Sequence, residues 1–369
     1  MMTQILITMG VLGGINGLLA LLLVIAEKFI ANYGSCRITV NGEKIFEIQG
    51  GSSLLNSLKT QKIFLPSACG GRGTCAYCKC RVLDNGGTVL PTEAPLLTQD
   101  EIKNHVRLAC QLKVKKDLAV EIPEELFNIQ EFTAVVEKLE DLTSDIKLVR
   151  LQLKHPETIQ FKPGQYVQLQ NNPYEGVKET ASRAYSIASP DSDSRVLELI
   201  IRLVPEGIVT TWVHQYLKAG DEVRFTGPMG DFALHEGEGE IVMVAGGSGM
   251  APMVSLLNQL EKQKSKRKIT YFFGAVKRSE LFYEEVMKRF GERLVDFTFV
   301  PALSQPDPDD HWSGKTGLIT RPLDEYLQTI DTSKVQGYLC GSPGMIRACI
   351  GVFSQRGVEN DRIYYDPFS

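Results

Sequence analysis

Three cysteines in a glycine-rich stretch constrain this chain more than any other feature. The stretch from Ser67 to Cys78 reads SACGGRGTCAYC, with the spacing C-x5-C-x2-C, and a fourth cysteine follows in the sequence RLACQ. Soft thiolate ligands suit iron, and glycines let the backbone pass close to a compact inorganic core. The spacing is one residue longer than the plant-type C-x4-C-x2-C pattern. It predicts an iron–sulfur site with the ligands Cys69, Cys75, Cys78 and Cys110.

Zinc is the alternative metal for four cysteines. Zinc ribbons usually carry two C-x2-C pairs and this chain has one, so the spacing favours iron and sulfur. Eight cysteines in 369 residues are too few for a disulfide scaffold and indicate a reducing compartment. We interpret Cys36, Cys80 and Cys349 as ordinary thiols, although Cys80 follows Cys78 closely enough to be an alternative ligand.

The N-terminus carries an uncharged run from Ile5 to Ala26. At about 1.5 Å of rise per residue, such a helix can cross a hydrocarbon core of about 30 Å, which predicts a transmembrane anchor in residues 1–33. A cleaved signal peptide is the alternative, but the basic n-region of such a peptide is missing. Lys28 and Arg37 follow the run while nothing basic precedes it, so the positive-inside rule leaves the rest of the chain in the cytoplasm.

Two overlapping G-x-x-x-G pairs lie within this run, Gly10 with Gly14 and Gly13 with Gly17, next to Asn16. Small residues at this spacing allow close helix contact, and an amide in lipid favours a hydrogen-bonding partner. The pattern therefore indicates either a partner helix in the membrane or the general abundance of glycine in membrane helices.

Length and charge set broad limits on the remainder. A chain of 369 residues with 43% hydrophobic residues is expected to form two to three folded domains. The net charge of -4 predicts no nucleic-acid partner.

Residues 34–128 have the pattern of a small α+β domain. Two alternating runs flank Asn41-Gly42, a strong hairpin signal, and Ser53 is a candidate helix cap. After the cysteine loop we expect a strand at 80–83, a helix near 100–106 and a strand over 112–122. The order of hairpin, helix, cysteine loop and late fourth cysteine resembles the plant-type [2Fe–2S] ferredoxins, which implies a β-grasp fold.

Residues 129–235 indicate a small antiparallel barrel, because short runs of strand residues alternate with glycine and proline turns. Within it, Arg183-Ala184-Tyr185-Ser186 would place a cation and a ring on one face of a strand. Arginine can bind a diphosphate, tyrosine can stack on a flat ring and a hydroxyl can bond a ring nitrogen. The turn from Gly207 to Thr211 opens an apolar helix and is a second candidate phosphate site. The expected strands are 132–139, 146–153, 166–169, 197–203 and 223–226.

Residues 236–369 alternate between strands and helices, which predicts a parallel sheet with its ligand at the carboxyl ends of the strands. The first strand leads into a glycine loop that does not match G-x-G-x-x-G, yet its amides and the helix that follows can face a diphosphate. Cys340-Gly341 ends a later strand and is either part of the site or a buried structural cysteine. The loop residues concerned are Gly247, Gly249, Met250, Ala251 and Pro252.

These motifs together resemble the ferredoxin-NADP reductase superfamily. The resemblance implies FAD held at its diphosphate by Arg183 and Thr210, with Tyr185 beside the isoalloxazine and Ser186 near its N5. It places the nucleotide on the glycine loop, with Cys340 and Gly341 near the nicotinamide, and Phe368 as an aromatic cover for the flavin. The candidate catalytic residues are Ser186, Cys340 and Phe368, and further FAD-binding candidates are Ala184, Gly207 and Thr211.

The residues after the second strand of this domain determine whether the site binds NADH or NADPH. Lys277 and Arg278 could bind a 2′-phosphate, or they could be the solvated start of a helix. With Glu280 nearby, the sequence favours NADH.

The order of membrane helix, ferredoxin, flavin barrel and nucleotide domain resembles the F subunits of the Na+-translocating NADH:quinone reductases. The resemblance implies electron transfer from NADH to FAD, to the [2Fe–2S] cluster and to other membrane subunits of a redox complex in the inner membrane, with quinone as the final acceptor. The loop from Asn171 to Thr180 is shorter than the usual insertion of this family. The alternative is a reductase that delivers electrons to an oxygenase or to another membrane redox acceptor.

Overall fold

The computed structural model of the protein describes residues 9–10, 12–20 and 33–368, of which 9–10 and 12–20 are helical and exposed. The rest of the predicted membrane run, residues 5–8, 11 and 21–26, lies outside the described residues, as does Lys28. Within the described part of the chain, no helix is long and apolar enough to cross a membrane. The chain divides into two compact units, one of Met1–Leu65 with Gly71–Asn128 and one of Pro66–Gly70 with Ile129–Ser369.

The first unit is built on a five-stranded mixed sheet in the order β2-β1-β5-β3-β4. β1 and β5 are parallel and the other pairs are antiparallel. Leu54 and Leu58 of the first helix are fully buried in one core cluster with Ile38 and Val40 of β1. This is the α+β arrangement that the sequence predicted. The elements are β1 (Ser35–Val40), β2 (Lys44–Gln49), α1 (Leu54–Thr60), β3 (Lys79–Asp84), α2 (Gln99–Lys103), β4 (Val106–Leu108) and β5 (Leu118–Glu121).

The hairpin and the helix cap predicted for this unit are both present, whereas the predicted lengths of one helix and one strand are wrong. Asn41 and Gly42 both have positive φ between β1 and β2, and the Ser53 side chain accepts a hydrogen bond from Asn56 N at the start of α1. The helix expected to reach residue 106 ends at Lys103, because β4 begins at Val106 and pairs with β3. The strand expected over 112–122 is only β5, because Leu112 and Val114 bond the entry to α1 instead.

The second unit begins with a six-stranded antiparallel sheet in the order β10-β7-β6-β11-β8-β9. A bridge between Ile187 and Leu199 joins β9 to β10, so the sheet closes into a barrel. Its interior is filled by aliphatic residues and by the stacked rings of Phe132 and Phe225. All five expected strands are present. The elements are β6 (Gln130–Asp141), β7 (Ile146–His155), β8 (Tyr166–Gln170), β9 (Ser182–Ser186), β10 (Val196–Arg202), α3 (Ile208–Thr211) and β11 (Glu222–Met229).

A parallel sheet in the order β15-β14-β13-β12-β16-β17 completes the second unit. Ile146, Ala188 and Ile200 of the barrel share one core cluster with Met250 and Met253 of α4. This packing fixes the barrel against the carboxyl edge of the parallel sheet. The elements are β12 (Ile241–Gly246), α4 (Met250–Lys262), β13 (Ile269–Ala275), α5 (Glu284–Arg293), β14 (Phe297–Leu303), β15 (Lys315–Thr316), α6 (Thr320–Leu327), β16 (Gln336–Gly341), α7 (Pro343–Gln355) and β17 (Ile363–Pro367).

Candidate functional site

Strand β9 presents the arginine, tyrosine and serine that the sequence singles out. Arg183 and Tyr185 lie on the same face because alternate residues of a strand point the same way. Ser186 is buried on the opposite face, and its Oγ lies 3.5 Å from Asp366 Oδ2. Ala184 stands half-buried between the arginine and the tyrosine. One face of this strand can therefore bind a large ligand, and the other face contacts the C-terminal strand.

The Tyr185 hydroxyl supports a ligand on the first of these faces. Its ring packs against the barrel core, and the buried hydroxyl has no hydrogen-bond partner within residues 33–368. Burial raises the pKa of this phenol, while the charge of Arg183 acts in the opposite direction. A buried polar atom without a protein partner commonly marks a bound group. A neutral hydroxyl beside a cation fits the oxygen-rich ribityl and diphosphate chain of FAD.

The turn before α3 is stabilised by hydrogen bonds and close contacts among its own residues. A Cβ on Gly207 would lie 2.5 Å from Thr210 Oγ1, so only glycine leaves room at this position. Thr210 is buried, and its Oγ1 accepts a hydrogen bond from Val204 N at 3.1 Å. Thr211 N donates to Gly207 O at 2.8 Å. The Thr210 hydroxyl is thus used inside the turn, and the groups that the turn can offer to a phosphate are the first backbone amides of α3.

The glycine loop of the parallel sheet packs directly on β16. Gly247 has a φ of +57°, and a Cβ on Gly249 would lie only 2.4 Å from the carbonyl oxygen of Cys340. Met250, Ala251 and Pro252 form the first turn of α4 with their side chains buried. These three residues shape the loop from the core side, so contacts from this segment to a diphosphate would come from its backbone.

A cleft of about 230 Å³ opens at the carboxyl edge of the parallel sheet. It is lined by residues at or next to the carboxyl ends of β12, β13, β14 and β16, namely Gly246, Gly274, Ser304 and Ser342. Ser342 also caps α7 by accepting a hydrogen bond from Met345 N at 3.3 Å. The structure therefore has a cavity at the carboxyl ends of the parallel strands, where the sequence predicted the ligand.

The barrel contributes a cation to the mouth of this cleft. Arg202 and Asp145 line it, and Arg202 Nε donates to Asp145 Oδ2 at 2.7 Å. A Cβ on Gly247 would lie 3.5 Å from Arg202 Nη1. A guanidinium beside a glycine loop is suited to an anionic diphosphate.

The two basic residues after β13 are occupied by acidic partners. Lys277 Nζ lies 3.2 Å from Asp307, and Arg278 Nη1 lies 2.5 Å from Glu284 while its guanidinium sits over the Trp312 ring. Glu280 lines the cleft, and its Oε2 accepts a hydrogen bond from Val276 N. A carboxylate in the cleft suits a ribose 2′-hydroxyl and repels a 2′-phosphate, which agrees with NADH.

The C-terminal strand brings the candidate catalytic residues together. Cys340 is fully buried and pairs with Asp366 in the register of β16 and β17. Burial raises the pKa of the Cys340 thiol, and the nearby Asp366 carboxylate raises it further. Phe368 N donates to Gly341 O at 2.9 Å, and its ring packs on the core cluster that contains Cys340. Ser186 and Cys340 therefore meet at Asp366, and Phe368 lies on the core cluster that contains Cys340.

The cysteine loop wraps over the turn that carries Cys110. Gly71 and Gly73 have positive φ, and Cβ atoms there would lie 4.0 Å from Cys110 Cβ and 2.5 Å from Gln111 Nε2. Cys69 and Cys78 are buried, whereas Cys75 and Cys110 are half-buried. A hydrogen bond with Cys110 and burial raise the pKa of the Cys78 thiol, and the proximity of Cys75 contributes.

Cys78 and Cys110 are thus within hydrogen-bonding distance of each other, and cysteines placed close together can bind a cationic metal centre as thiolates. Among the described residues, no three His, Cys, Asp or Glu side chains are arranged around a single metal-ion position. A [2Fe–2S] cluster is held by four thiolates shared between two irons. Cys80, the alternative ligand, is buried in β3, and its Sγ donates to Arg107 O at 3.8 Å.

Three family models cover the same regions. A 2Fe-2S iron-sulfur cluster binding domain matches residues 38–115, an oxidoreductase FAD-binding domain matches 133–234 and an oxidoreductase NAD-binding domain matches 243–350. Among solved structures, Amycolatopsis cytochrome P450 reductase GcoB has a TM-score of 0.71 at 29% identity, with 90% of this chain and 98% of that chain covered. The ferredoxin reductase in carbazole 1,9a-dioxygenase has a TM-score of 0.69 at 25% identity, with 91% and 99% covered.

The fold and site thus define an NAD-linked flavoprotein reductase with a [2Fe–2S] domain, and the choice of iron and sulfur over zinc is confirmed. Curated relatives include the F subunit of the Na(+)-translocating NADH-quinone reductase of Pseudomonas aeruginosa, at 37% identity with 95% of each chain covered. Its counterpart in Serratia proteamaculans is 34% identical with 99% of each chain covered. The chain belongs to the family formed by the F subunits of Na+-translocating NADH-quinone reductases.

Asp366 and Arg202 were not identified as site residues from the sequence, and Glu280 entered only as an argument for NADH. Asp366 reaches Ser186 only because β17 adds to the edge of the parallel sheet, and Arg202 reaches Gly247 only because the barrel packs on that sheet. Only Glu280 had a local signal, as an acidic residue shortly after the second strand of a nucleotide-binding sheet.

Proposed function

We propose that the protein is the electron-input module of a Na+-translocating NADH:quinone reductase. In this role it oxidises NADH and passes the electrons to other membrane subunits, with quinone as the final acceptor of the complex. The observation that carries the proposal is the meeting of Ser186, from the flavin barrel, with Cys340 and Asp366, from the nucleotide sheet. When bound, FAD takes an electron pair from NADH and releases electrons singly, and the cluster forwards them.

The barrel residues hold and orient the flavin in this proposal. Arg183 binds the diphosphate with the amides that open α3, Tyr185 flanks the ring system with its unpaired hydroxyl toward the ligand, and Ser186 faces the reacting edge. Gly207 and Thr210 keep the turn in shape, with Ala184 and Thr211 next to it. The cleft lined by Gly246, Arg202 and Glu280 binds the diphosphate and ribose of NADH.

The residues around Asp366 exclude water and set the charge where the two ligands meet. Cys340 stays a neutral thiol because burial and Asp366 oppose its ionisation. A small neutral side chain leaves room for the nicotinamide beside it. Phe368, whose ring packs on the core cluster, would cover the flavin face until the nicotinamide replaces it.

The proposed organisation assigns residues 34–128 to the ferredoxin domain, 129–235 to the flavin domain and 236–369 to the nucleotide domain. Cys69, Cys75, Cys78 and Cys110 hold the cluster. Residues 1–33 form a single-pass anchor in the inner membrane, with the catalytic domains in the cytoplasm. This anchor is supported by the uncharged run from Ile5 to Ala26.

Alanine variants of the cluster cysteines test the order of the carriers. C75A and C78A should lose the cluster and electron transfer to quinone, while NADH oxidation by a soluble two-electron dye continues. C80A is the matched control, because Cys80 lies two residues from Cys78 and bonds its own strand pair. The proposed order is wrong if dye reduction disappears in C75A while FAD remains bound.

An oxygenase reductase is the second candidate function, favoured by the similarity to the cytochrome P450 reductase over nearly the whole chain. The two candidates differ in the electron acceptor. Purification from membranes in mild detergent should recover the protein with other integral membrane subunits and with NADH:quinone activity that depends on Na+. Recovery with a soluble hydroxylase instead would favour the second candidate.

A further inference from the structure

The turn that carries Cys110 is held by a buried ion pair outside the cysteine motif. The side chains of Glu93 and Arg107 are 0% and 4% exposed, and Arg107 donates to Glu93 Oε1 from Nη2 at 2.5 Å and from Nε at 2.6 Å. Burying two charges is costly, so such a pair is weak evidence for a role in stability alone. Its role has to follow from the other groups that it binds.

Glu93 uses both carboxylate oxygens to hold backbone. Oε1 also accepts a hydrogen bond from Leu90 N at 2.8 Å, and Oε2 accepts one from Leu108 N at 3.0 Å. Arg107 Nη1 donates to the carbonyl oxygen of Gly86. The pair therefore fastens the segment around residue 90 to the end of β4.

Leu108 begins the turn that presents Cys110. Its carbonyl oxygen accepts hydrogen bonds from Gln111 N at 2.9 Å and Leu112 N at 3.1 Å, so residues 108–112 form a closed turn. Ala109 N donates to Cys78 O at 2.9 Å. Thr92, next to Glu93, bonds the far side of the turn from Oγ1 to Gln111 Oε1 at 3.1 Å. The turn is thus fixed at its start by Glu93, at its middle by Cys78 and at its far end by Thr92.

We propose that Glu93 is a positioning residue for the iron–sulfur cluster. Its carboxylate, neutralised by Arg107, fixes the amide of Leu108 and with it the position of the Cys110 sulfur relative to Cys78. This inference rests on the proposed function, in which Cys110 is the fourth cluster ligand. Thr92 supports the same turn with a weaker neutral hydrogen bond.

Only a carboxylate satisfies every donor around this position. In E93Q the amide oxygen keeps the bonds to Arg107 and Leu90 by facing the guanidinium. The NH2 group then faces the Leu108 N–H, so two donors oppose each other. A buried amide without an acceptor is destabilising, and here the loss falls on the residue that begins the cluster turn.

The test compares E93Q with E121Q in the full-length, cluster-loaded protein. The Arg81–Glu121 pair has the same residue types in the same unit but is exposed, at 53% and 51%, with an N···O distance of 3.1 Å. We expect an iron chelator to bleach the E93Q cluster about tenfold faster than the wild-type cluster, in line with the loss of a buried hydrogen bond. The electron paramagnetic resonance g values of the reduced cluster should also shift. E121Q should match the wild type in both measurements.

The outcomes separate the inference from the proposed function. A wild-type protein that holds no [2Fe–2S] cluster overturns both. A wild-type cluster with unchanged g values and release rate in E93Q overturns the inference alone, even if E93Q unfolds at a lower temperature. If E93Q does not accumulate, E93D replaces it, because the shorter side chain keeps the charge beside Arg107 and withdraws from Leu108 N. A wild-type signature in E93D is then the overturning result.

Discussion

Substitution of Gly249 by alanine tests how rigidly the glycine loop rests on β16. Gly249 has an ordinary helical backbone, with φ of -60° and ψ of -11°, so alanine introduces no backbone strain. The new Cβ would instead lie 2.4 Å from the Cys340 oxygen, 2.9 Å from its carbonyl carbon and 3.3 Å from Gly341 N. All three are backbone atoms, so no side-chain rotation can relieve the clash.

The displacement can be worked out from these distances. Reaching 3.0 Å, below which Cβ atoms essentially never approach a neighbour, requires the loop and β16 to separate by about 0.6 Å. Overpacking of this kind typically costs about 1–3 kcal/mol. The shift displaces Cys340 and Gly341, and a misplacement of about 1 Å at a reacting centre can reduce a rate by about a hundredfold. We therefore expect kcat/KM for NADH to fall roughly tenfold to a hundredfold in G249A.

Anaerobic stopped-flow reduction of the bound flavin by NADH measures this effect directly. FAD content and the cluster spectrum should stay at wild-type levels, because the atoms that the new Cβ meets belong to Cys340 and Gly341. G344A is the matched control, since Gly344 lies in α7 near the same cleft and a Cβ there has no neighbour within 4 Å. Wild-type flavin reduction by a folded G249A protein would refute the reasoning.

Three further substitutions test the site and its surroundings. D366N should slow flavin reduction by NADH about tenfold with FAD still bound, because a negative charge 3.5 Å from Ser186 Oγ is removed, and a tenfold change corresponds to about 1.4 kcal/mol in the barrier. An unchanged rate would remove Asp366 from the site. E280Q should raise kcat/KM for NADPH about tenfold and change kcat/KM for NADH less. The reason is that it removes a negative charge next to the 2′-phosphate, which is worth on the order of 1–2 kcal/mol at the protein surface. An unchanged ratio of the two kcat/KM values would place the ribose elsewhere. Burial lowers the pKa of His214 below its ordinary 6.5, so its contribution to stability is complete above pH 6.5 and is lost as pH falls through the lower folded value. H214Q keeps a donor for Ile201 O without a titrating ring, so its unfolding temperature should fall less steeply between pH 7 and pH 5, and equal slopes would contradict this assignment.

Motifs whose geometry is local were predictable from the sequence. The Asn41-Gly42 turn and the Ser53 cap each depend on residues within four positions, and both are present. The arginine and tyrosine of β9 share a face because the period of a strand requires it. The lengths of α2 and β5 were not predictable in the same way, because pairing with β3 and hydrogen bonds to the entry of α1 override local preference.

The roles of individual side chains were predictable from the sequence only where no other residue of the fold forms a hydrogen bond or ion pair with the same group. Thr210 is predicted to help hold the FAD diphosphate, and in the fold its hydroxyl also accepts a hydrogen bond from Val204 N within the turn. Lys277 and Arg278 kept NADPH as an alternative in the sequence, although Glu280 favoured NADH, and in the fold Asp307 and Glu284 pair with the two cations. Of the aromatic residues in the tail, Tyr364 stacks on His235 and Tyr365 is exposed, whereas Phe368 reaches the site.

The sequence by itself determined the kinds of chemistry available to this protein. Cysteine spacing, glycine loops and the order of patterns along the chain are covalent facts, and they indicate iron, flavin and nucleotide without further information. The tertiary structure decided which residues serve that chemistry. Asp366 lies 180 positions from Ser186 and Glu93 lies 15 positions from Leu108. Such contacts depend on strand addition and core packing, which no local pattern encodes.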